Sequence, residues 1–91
     1  MTNSTEIFNQ VREIVALETN HEEDEISPDS HFVDDLSIDL EDENNGIFKR
    51  IVARINDEFD IKLDMNLFLD EESENQVVSY LTELVKDEID L

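Results

Sequence analysis

The side chains of this sequence that are able to bind a metal or catalyse a reaction are hydroxyls, carboxylates and two histidines, because the chain has no cysteine. His21 and His31 lack the short spacing of zinc ligands, so we expect no zinc site. Residues 41–52 place Gly46 at the sixth position of an EF-hand loop, but Glu and Val occupy its first and last positions. A single glycine also leaves a Ser–His–Asp hydrolase without its nucleophile turn and oxyanion hole. The motifs therefore predict neither an enzyme nor a metal centre.

The charge balance of the chain is strongly acidic, with 26 Asp and Glu residues, 6 Lys and Arg residues and a net charge of −20. Such a surface excludes binding to nucleic-acid phosphates and disfavours anionic membranes. No apolar run is long enough to span a bilayer, and the N-terminus lacks the basic and apolar regions of a signal peptide. We therefore expect a cytoplasmic protein without integral membrane association. A chain of 91 residues is enough for one domain, residues 1–91.

Apolar periodicity predicts an all-α protein, because only one glycine and one proline interrupt the sequence. The first predicted helix covers residues 5–18, with Asn3 and Glu6 as a capping box. Its apolar face consists of Ile7, Phe8, Val11, Ile14 and Val15. A long polar loop follows over residues 19–36, and we expect a few apolar residues to anchor it to the core. These anchors are Ile26, Phe32, Val33 and Leu36.

Two further long helices and a short helical segment are predicted in the second half of the chain. One helix ends near Glu58, and its clear part begins at Ile47; its start stays open, since Ser37 could cap an earlier helical turn over residues 39–43. The connector over residues 60–70 contains one or two helical turns, and Ser73 with Gln76 forms a capping box for the last helix. Together these elements describe a small bundle of three longer helices and one short helix, with a long first loop.

Three motifs of the sequence resemble those of acyl carrier proteins. Residues 31–36 (HFVDDL) resemble the S-F-V-E-D-L that precedes the prosthetic-group site of this family. Residues 57–63 (DEFDIKL) resemble the E-E-F-D-I-E-I that ends the family's second helix, and residues 77–81 fall where its last helix carries A-I-D-Y-I. The resemblance implies a carrier, not an enzyme, that holds an acyl group or a related intermediate as a thioester on a 4′-phosphopantetheine arm.

The sequence departs from the family pattern where the arm is attached. The family carries the arm on the serine of an Asp-Ser-Leu motif, and the segment between Leu36 and Glu58 is longer here than is usual in the family. Counting forward from Leu36, the position of that serine falls on Leu40; counting back from Glu58, it falls on Asn45. Neither register provides a hydroxyl.

A local match indicates Ser37 as the attachment site. Residues 37–39 (SID) resemble the family's Ser-Leu-Asp, and no other hydroxyl-bearing residue lies between Ser30 and Ser73. A helix that begins just after Ser37 would stabilise a phosphodiester through its free N–H groups and its dipole. The sequence leaves residues 37–46 open between a helix, a loop and an insert. It also leaves open that Ser37 is only a helix cap or a loop residue.

The resemblance implies partners as well: a phosphopantetheinyl transferase, and synthase or acyl-transfer enzymes with basic patches, in fatty acid, polyketide or peptide-type biosynthesis. The residues predicted to bind these partners are Asp39, Glu41, Asp42, Glu43, Lys49 and Arg50. Lys49, Arg50 and Arg54, the bases of the predicted helix that contains Ile47, fit equally well a role limited to moderating self-repulsion. Several apolar residues are either core or the lining of an acyl-chain cavity, with core favoured: Ile51, Val52, Ile55, Phe59, Leu63, Phe68 and Val78.

Two alternatives remain at the level of the sequence. The missing serine motif and the longer segment favour a carrier-like interaction module that has lost its prosthetic group. The net charge of −20 would also suit an acidic decoy that mimics nucleic acid, although the carrier-like spacings would then be a coincidence. Strong self-repulsion predicts a monomer whose stability increases with salt.

Overall fold

A computed structural model describes residues 4–40 and 46–90. The helices are α1 (Ser4–Thr19), α2 (Ile47–Phe59), α3 (Asn66–Leu69) and α4 (Val78–Ile89), and 3₁₀ turns cover Glu23–Glu25 and Ser73–Asn75. Within these described ranges the only β-type pairing is an isolated antiparallel bridge between His31 and Val77. The predicted all-α bundle of three longer helices and one short helix, with a long first loop, is confirmed.

The longer helices form because each buries an apolar face against its neighbours. α1 packs against both α2 and α4, and its buried residues recur every three to four positions. α2 ends at Asp60, which adopts the left-handed conformation (φ 55°, ψ 50°) and donates its N–H to the carbonyl of Asn56. The Asn56 side chain accepts the N–H of Leu63 at 2.9 Å. This amide therefore ties the end of α2 to the connector that follows it.

An aromatic cluster joins the first loop to α2, α3 and α4. The Phe32 ring lies edge-on to Phe48 and Phe68, with ring centroids 5.8 and 5.1 Å apart. Phe68 stacks on Phe48 at 5.0 Å and on Tyr80 at 5.7 Å. Aromatic pairs of this kind contribute about 0.5–1.5 kcal/mol each beyond their buried area. Since every ring comes from a different element, the cluster fixes the loop relative to three helices.

The anchors of the first loop are as predicted at Ile26, Phe32 and Leu36, all of which are buried. The prediction was wrong for Val33, whose side chain is 42% exposed, and it missed Ile38, whose side chain is only 1% exposed. The reason is local geometry: residues 32–36 form a helical turn, so positions four apart face the core and Val33 faces outward.

The predicted start of the last helix was also wrong. α4 begins at Val78, and its N-cap residue Val77 makes no side-chain capping hydrogen bond. Ser73 instead opens a 3₁₀ turn, and the buried Gln76 amide donates to the carbonyls of the last two residues of α3 at 3.3 and 3.4 Å. Gln76 thus satisfies the end of one helix instead of capping the next. The predicted cap at Asn3 lies outside the described residues.

The apolar residues that the sequence assigned to core or cavity lining all belong to the core. Each is buried except Phe59, which is partly buried against the others. No helix in the described part of the chain has the length and apolar character needed to cross a bilayer.

Candidate functional site

The segment that carries Ser37 is a tightly hydrogen-bonded turn. Asp35 donates its N–H to the carbonyl of His31 at 2.9 Å, and Ser37 donates to the carbonyl of Val33 at 3.1 Å. Ser37 then adopts the left-handed conformation, with φ 57°. This reverses the chain, so that the N–H of Ile38 reaches back to the carbonyl of Phe32 at 2.8 Å. The turn therefore ends at Ser37, and the backbone of that residue is held in place.

Burial alternates sharply around Ser37. Leu36 and Ile38 are buried, whereas Ser37 and Asp39 are exposed. The two buried neighbours fix the direction of the Ser37 side chain. It borders an open groove of about 700 Å³, which we call the Ser37 groove. One wall consists of Val33 and residues 37–40, and the opposite wall of Leu69, Ser73 and Gln76.

His31 connects the two walls of the Ser37 groove. Its imidazole Nδ1 lies 3.1 Å from both the N–H of Val33 and the N–H of Asp34. Its Nε2 lies within hydrogen-bond distance of the carbonyl oxygen of Ser73. The backbone N–H of His31 donates to the carboxylate of Asp35 at 2.7 Å. The imidazole and the carboxylate together satisfy the N–H groups at the start of the turn, as side chains do at the start of a helix.

Two comparisons with known proteins define the family. The chain is 36% identical over 73 residues to acyl carrier protein AcpXL of Rhizobium meliloti, which covers 80% of this chain and 72% of the relative. It is 33% identical over 76 residues to the acyl carrier protein of Borreliella burgdorferi, which covers 84% of this chain and 89% of the relative. The chain belongs to the acyl carrier protein family. No protein-family model matches it.

The surroundings of Ser37 fit the prosthetic group of acyl carrier proteins in part. An exposed hydroxyl at the rim of an open groove suits the attachment of a long flexible arm. Among the described residues that follow Ser37, residues 38–40 are not helical, so they provide no helix start for a phosphate, and α2 begins at Ile47. Residues 41–45 lie outside the described part of the chain.

The residues predicted to bind partner enzymes fall in two places. Asp39 is exposed beside Ser37, while Glu41, Asp42 and Glu43 lie outside the described residues. Lys49 and Arg50 are exposed on the first turns of α2. The structure does not bring these two bases into the Ser37 groove, whose walls contain neither of them.

An ion pair missed by the sequence analysis organises the basic side of α2. The guanidinium nitrogens of Arg50 and Arg54 lie 3.4 and 3.6 Å from the same carboxylate oxygen of Glu18, at the end of α1. Four-residue spacing of the arginines on one helix was the available signal, since it places both on one face. Their acidic partner depends on how α1 packs against α2, which periodicity does not specify.

A second electrostatic contact lies where α3 meets α4. The N–H of Glu72 donates to the carboxylate of Glu71 at 3.0 Å and lowers the pKa of Glu71, with smaller contributions from the Asn75 amide and the Tyr80 phenol. Partial burial raises the pKa of Tyr80, and the neighbouring Glu71 carboxylate raises it further. The phenol also lies 3.3 Å from the carbonyl oxygen of Leu67.

Proposed function

We propose that this protein is a cytoplasmic acyl carrier domain that carries its cargo on a 4′-phosphopantetheine arm attached at Ser37. The arm, when attached, supplies a thiol that holds an acyl group or a related intermediate as a thioester. The protein catalyses no reaction itself and serves enzymes of fatty acid, polyketide or peptide-type biosynthesis. The observation that carries the proposal is the exposed Ser37 hydroxyl at the rim of the Ser37 groove.

The backbone conformation of Ser37 supports a role for its side chain. The non-glycine residues at positive φ in the described part of the chain are Asn20, Ser37 and Asp60. Asn and Asp tolerate this conformation, whereas for most other residues it costs about 1–2 kcal/mol. Glycine at position 37 would avoid that cost. A serine kept at a left-handed position is consistent with a functional use of its hydroxyl.

Attachment of the arm is a phosphoryl-type transfer to Ser37. The hydroxyl oxygen forms a bond to the phosphorus that bears the pantetheine of coenzyme A. The phosphoric anhydride bond of coenzyme A breaks, adenosine 3′,5′-bisphosphate leaves, and a base of the transferase takes the hydroxyl proton. Ser37 requires no activation by its own chain, since the transferase supplies the base.

The acidic surface supports the choice of partners. With a net charge of −20, the chain attracts proteins with basic patches, and attraction of this kind accelerates encounter by 10-fold or more. Asp39 and residues 41–43 adjoin Ser37 in the sequence, so we propose that they guide the transferase and the acyl-transfer enzymes to it. Lys49 and Arg50 extend the proposed contact surface to α2.

The second candidate function is a carrier-like interaction module without an arm. It is favoured by the distance in sequence between Ser37 and the start of α2 at Ile47, because residues 38–40 offer no helical N-terminus to a phosphate. Both candidates share the fold and the acidic surface, and they differ only in whether Ser37 becomes modified.

Intact-mass measurement separates the two candidates. The purified protein is incubated with coenzyme A and a broad-specificity phosphopantetheinyl transferase, beside Ser37→Ala, Ser37→Gly and Ser73→Ala. Ser73 is the matched control, because it is an exposed serine on the opposite wall of the same groove. We expect the wild type and Ser73→Ala to gain one phosphopantetheine and both position-37 variants to gain none.

Other outcomes assign the function differently. A gain that survives both substitutions at position 37 moves the arm to another residue. No gain by the wild type, with an established acyl carrier protein modified in the same tube, favours the armless module. The protein isolated from its native cell is then weighed as well. If its mass also shows no phosphopantetheine, modification by a dedicated transferase is excluded.

A further inference from the structure

His31 is the only buried histidine in the described part of the chain, and it is 8% exposed. Its two ring nitrogens face opposite kinds of group. Backbone N–H donors of Val33 and Asp34 point at Nδ1, each at 3.1 Å, whereas the carbonyl oxygen of Ser73 faces Nε2. Every polar contact of the ring is therefore to the backbone.

These contacts are compatible with one protonation state. A nitrogen that accepts two N–H hydrogen bonds carries no proton, so Nδ1 must be bare. A carbonyl oxygen accepts and cannot donate, so Nε2 must carry the hydrogen. The geometry assigns to His31 the neutral Nε2–H tautomer.

The imidazole joins segments that are distant in sequence. On one side it holds the turn that ends at Ser37, and on the other it holds the 3₁₀ turn that begins at Ser73. Backbone bonds flank this connection: Phe32 donates to the carbonyl of Gln76 at 3.1 Å, and Val78 donates to the carbonyl of Ser30 at 3.0 Å. Hydrogen bonds thus join residues 30–32 to residues 73–78 across the end of the Ser37 groove, and we call this contact the seam. The imidazole of His31 contributes a side-chain hydrogen bond to the seam, and backbone groups make the flanking ones.

We propose that His31 is a positioning residue that acts as a proton-sensitive latch on the Ser37 turn. In its neutral form the ring fixes the turn against residues 73–76. A proton on Nδ1 would face two N–H donors at 3.1 Å, so both hydrogen bonds are lost and the start of the turn opens. The latch thus holds the groove wall while the ring is neutral and releases it when Nδ1 takes up a proton.

The charged groups around His31 modify this response without cancelling it. Asp34 and Asp35 belong to the same turn as His31. Glu72 and Glu74 flank Ser73 in the sequence, on the other side of the imidazole. Residues 76–79, which pair with residue 31 through Val77, carry no charge. The four carboxylates are exposed, so water screens their attraction for an imidazolium. Direct loss of two hydrogen bonds inside the turn is not screened in this way.

Nuclear magnetic resonance of the full-length ¹⁵N-labelled protein tests the latch independently of any arm on Ser37. Long-range ¹H–¹⁵N correlation of the imidazole reports which nitrogen carries the proton. Amide hydrogen exchange reports the hydrogen bonds of Val33 and Asp34. Three variants accompany the wild type: His31→Asn, His31→Leu and the control His21→Asn. His21 is partly exposed, and its ring pairs with the carboxylate of Glu25 at 3.0 Å.

We expect a bare Nδ1 in the neutral ring. We also expect the Val33 and Asp34 amides to lose protection on the order of tenfold in step with protonation of the His31 ring, as the protein is titrated with acid. His31→Asn offers a carbonyl oxygen in place of Nδ1 and takes up no proton, so it keeps the protection throughout the titration. His31→Leu lacks the protection throughout, and His21→Asn behaves as the wild type.

A hydrogen on Nδ1 of the neutral ring overturns the proposal, and so does unchanged protection of the two amides across the wild-type titration. If His31→Leu does not fold, the wild-type titration and His31→Asn still decide. Failure of Ser37 to accept an arm leaves these readouts unaffected, so the two proposals fail separately.

Discussion

Shortening the side chain of Ile38 is the sharpest test of how the Ser37 turn is held. Ile38 is 1% exposed and follows Ser37 directly, whereas Val33 lines the same groove and is 42% exposed. Truncating a fully buried isoleucine to alanine lowers the free energy of unfolding by about 2–5 kcal/mol. Truncating an exposed valine changes it by about 0.5 kcal/mol or less. We therefore expect about 3 kcal/mol for Ile38→Ala and about 0.5 kcal/mol for Val33→Ala.

Thermal unfolding followed by far-ultraviolet circular dichroism measures both variants. For a domain of this size 1 kcal/mol corresponds to about 4–8 °C in Tm. Ile38→Ala is therefore expected to melt about 12–24 °C below the wild type, and Val33→Ala within about 4 °C of it. If Ile38→Ala does not fold, Ile38→Val gives a graded loss of about 0.5–1.5 kcal/mol. Equal effects at the two positions, or a larger effect at Val33, would refute the assignment of Ile38 as the anchor.

Three further predictions concern charge and buried polar groups. Added salt or magnesium raises Tm on the order of 5 °C, because screening relieves the repulsion within a chain of net charge −20; a salt-independent Tm would contradict this. The N–H of Glu72 lowers the pKa of Glu71 in the folded protein, so the stability that this carboxylate contributes is present above its unfolded pKa and is lost as pH falls through the folded pKa. The stability difference between wild type and Glu71→Gln in urea titrations thus shrinks on acidification below about pH 5, and a difference that grows would be the wrong sign. Gln76→Leu removes the side-chain donor from the carbonyls of Phe68 and Leu69, of which the first keeps the N–H of Glu71, and lowers the free energy of unfolding by about 1–3 kcal/mol. The variant Gln10→Leu, at an exposed site, changes it by about 0.5 kcal/mol; similar losses would argue against the buried amide's role.

The sequence predicts the helices well because their apolar faces repeat with the helical period. The predicted bounds of α1 differ from the observed Ser4–Thr19 by one residue at each end, and the predicted end of α2 differs by one residue from the observed Phe59. The family resemblance is confirmed by the two acyl carrier protein relatives, and two of its three motifs lie at the end of α2 and at the start of α4. The spacing of apolar residues along a helix is a local property, so it can be read directly from the sequence.

The first loop and the start of the last helix are predicted less well, since their structure depends on contacts between distant segments. Val33 is exposed and Ile38 is the buried anchor instead, because residues 32–36 form a helical turn. Gln76 matches a capping motif in sequence, but its amide donates to the carbonyls of the last two residues of α3.

In the candidate site, too, features that depend on neighbouring residues are predicted, and contacts between distant segments are not. Ser37 is proposed as the attachment site from its position in the sequence, whereas its exposure and the neighbouring groove are visible only in the folded protein. His31 was considered only as a metal ligand, although a hydrogen-bonding side chain directly before a turn was a signal for a cap. Its contact with Ser73 joins residues that are 42 positions apart in the sequence, so no local pattern contains it.

The aromatic cluster gives the molecule a built-in optical probe. The chain has one tyrosine and no tryptophan, and that tyrosine stacks on Phe68, which touches both the loop ring and the α2 ring. Its near-ultraviolet signal therefore comes from the junction of four elements, while the far-ultraviolet signal comes from all helices together. Loosening of the seam beside Ser37 can thus be followed by spectroscopy on the unlabelled protein, separately from the melting of the bundle.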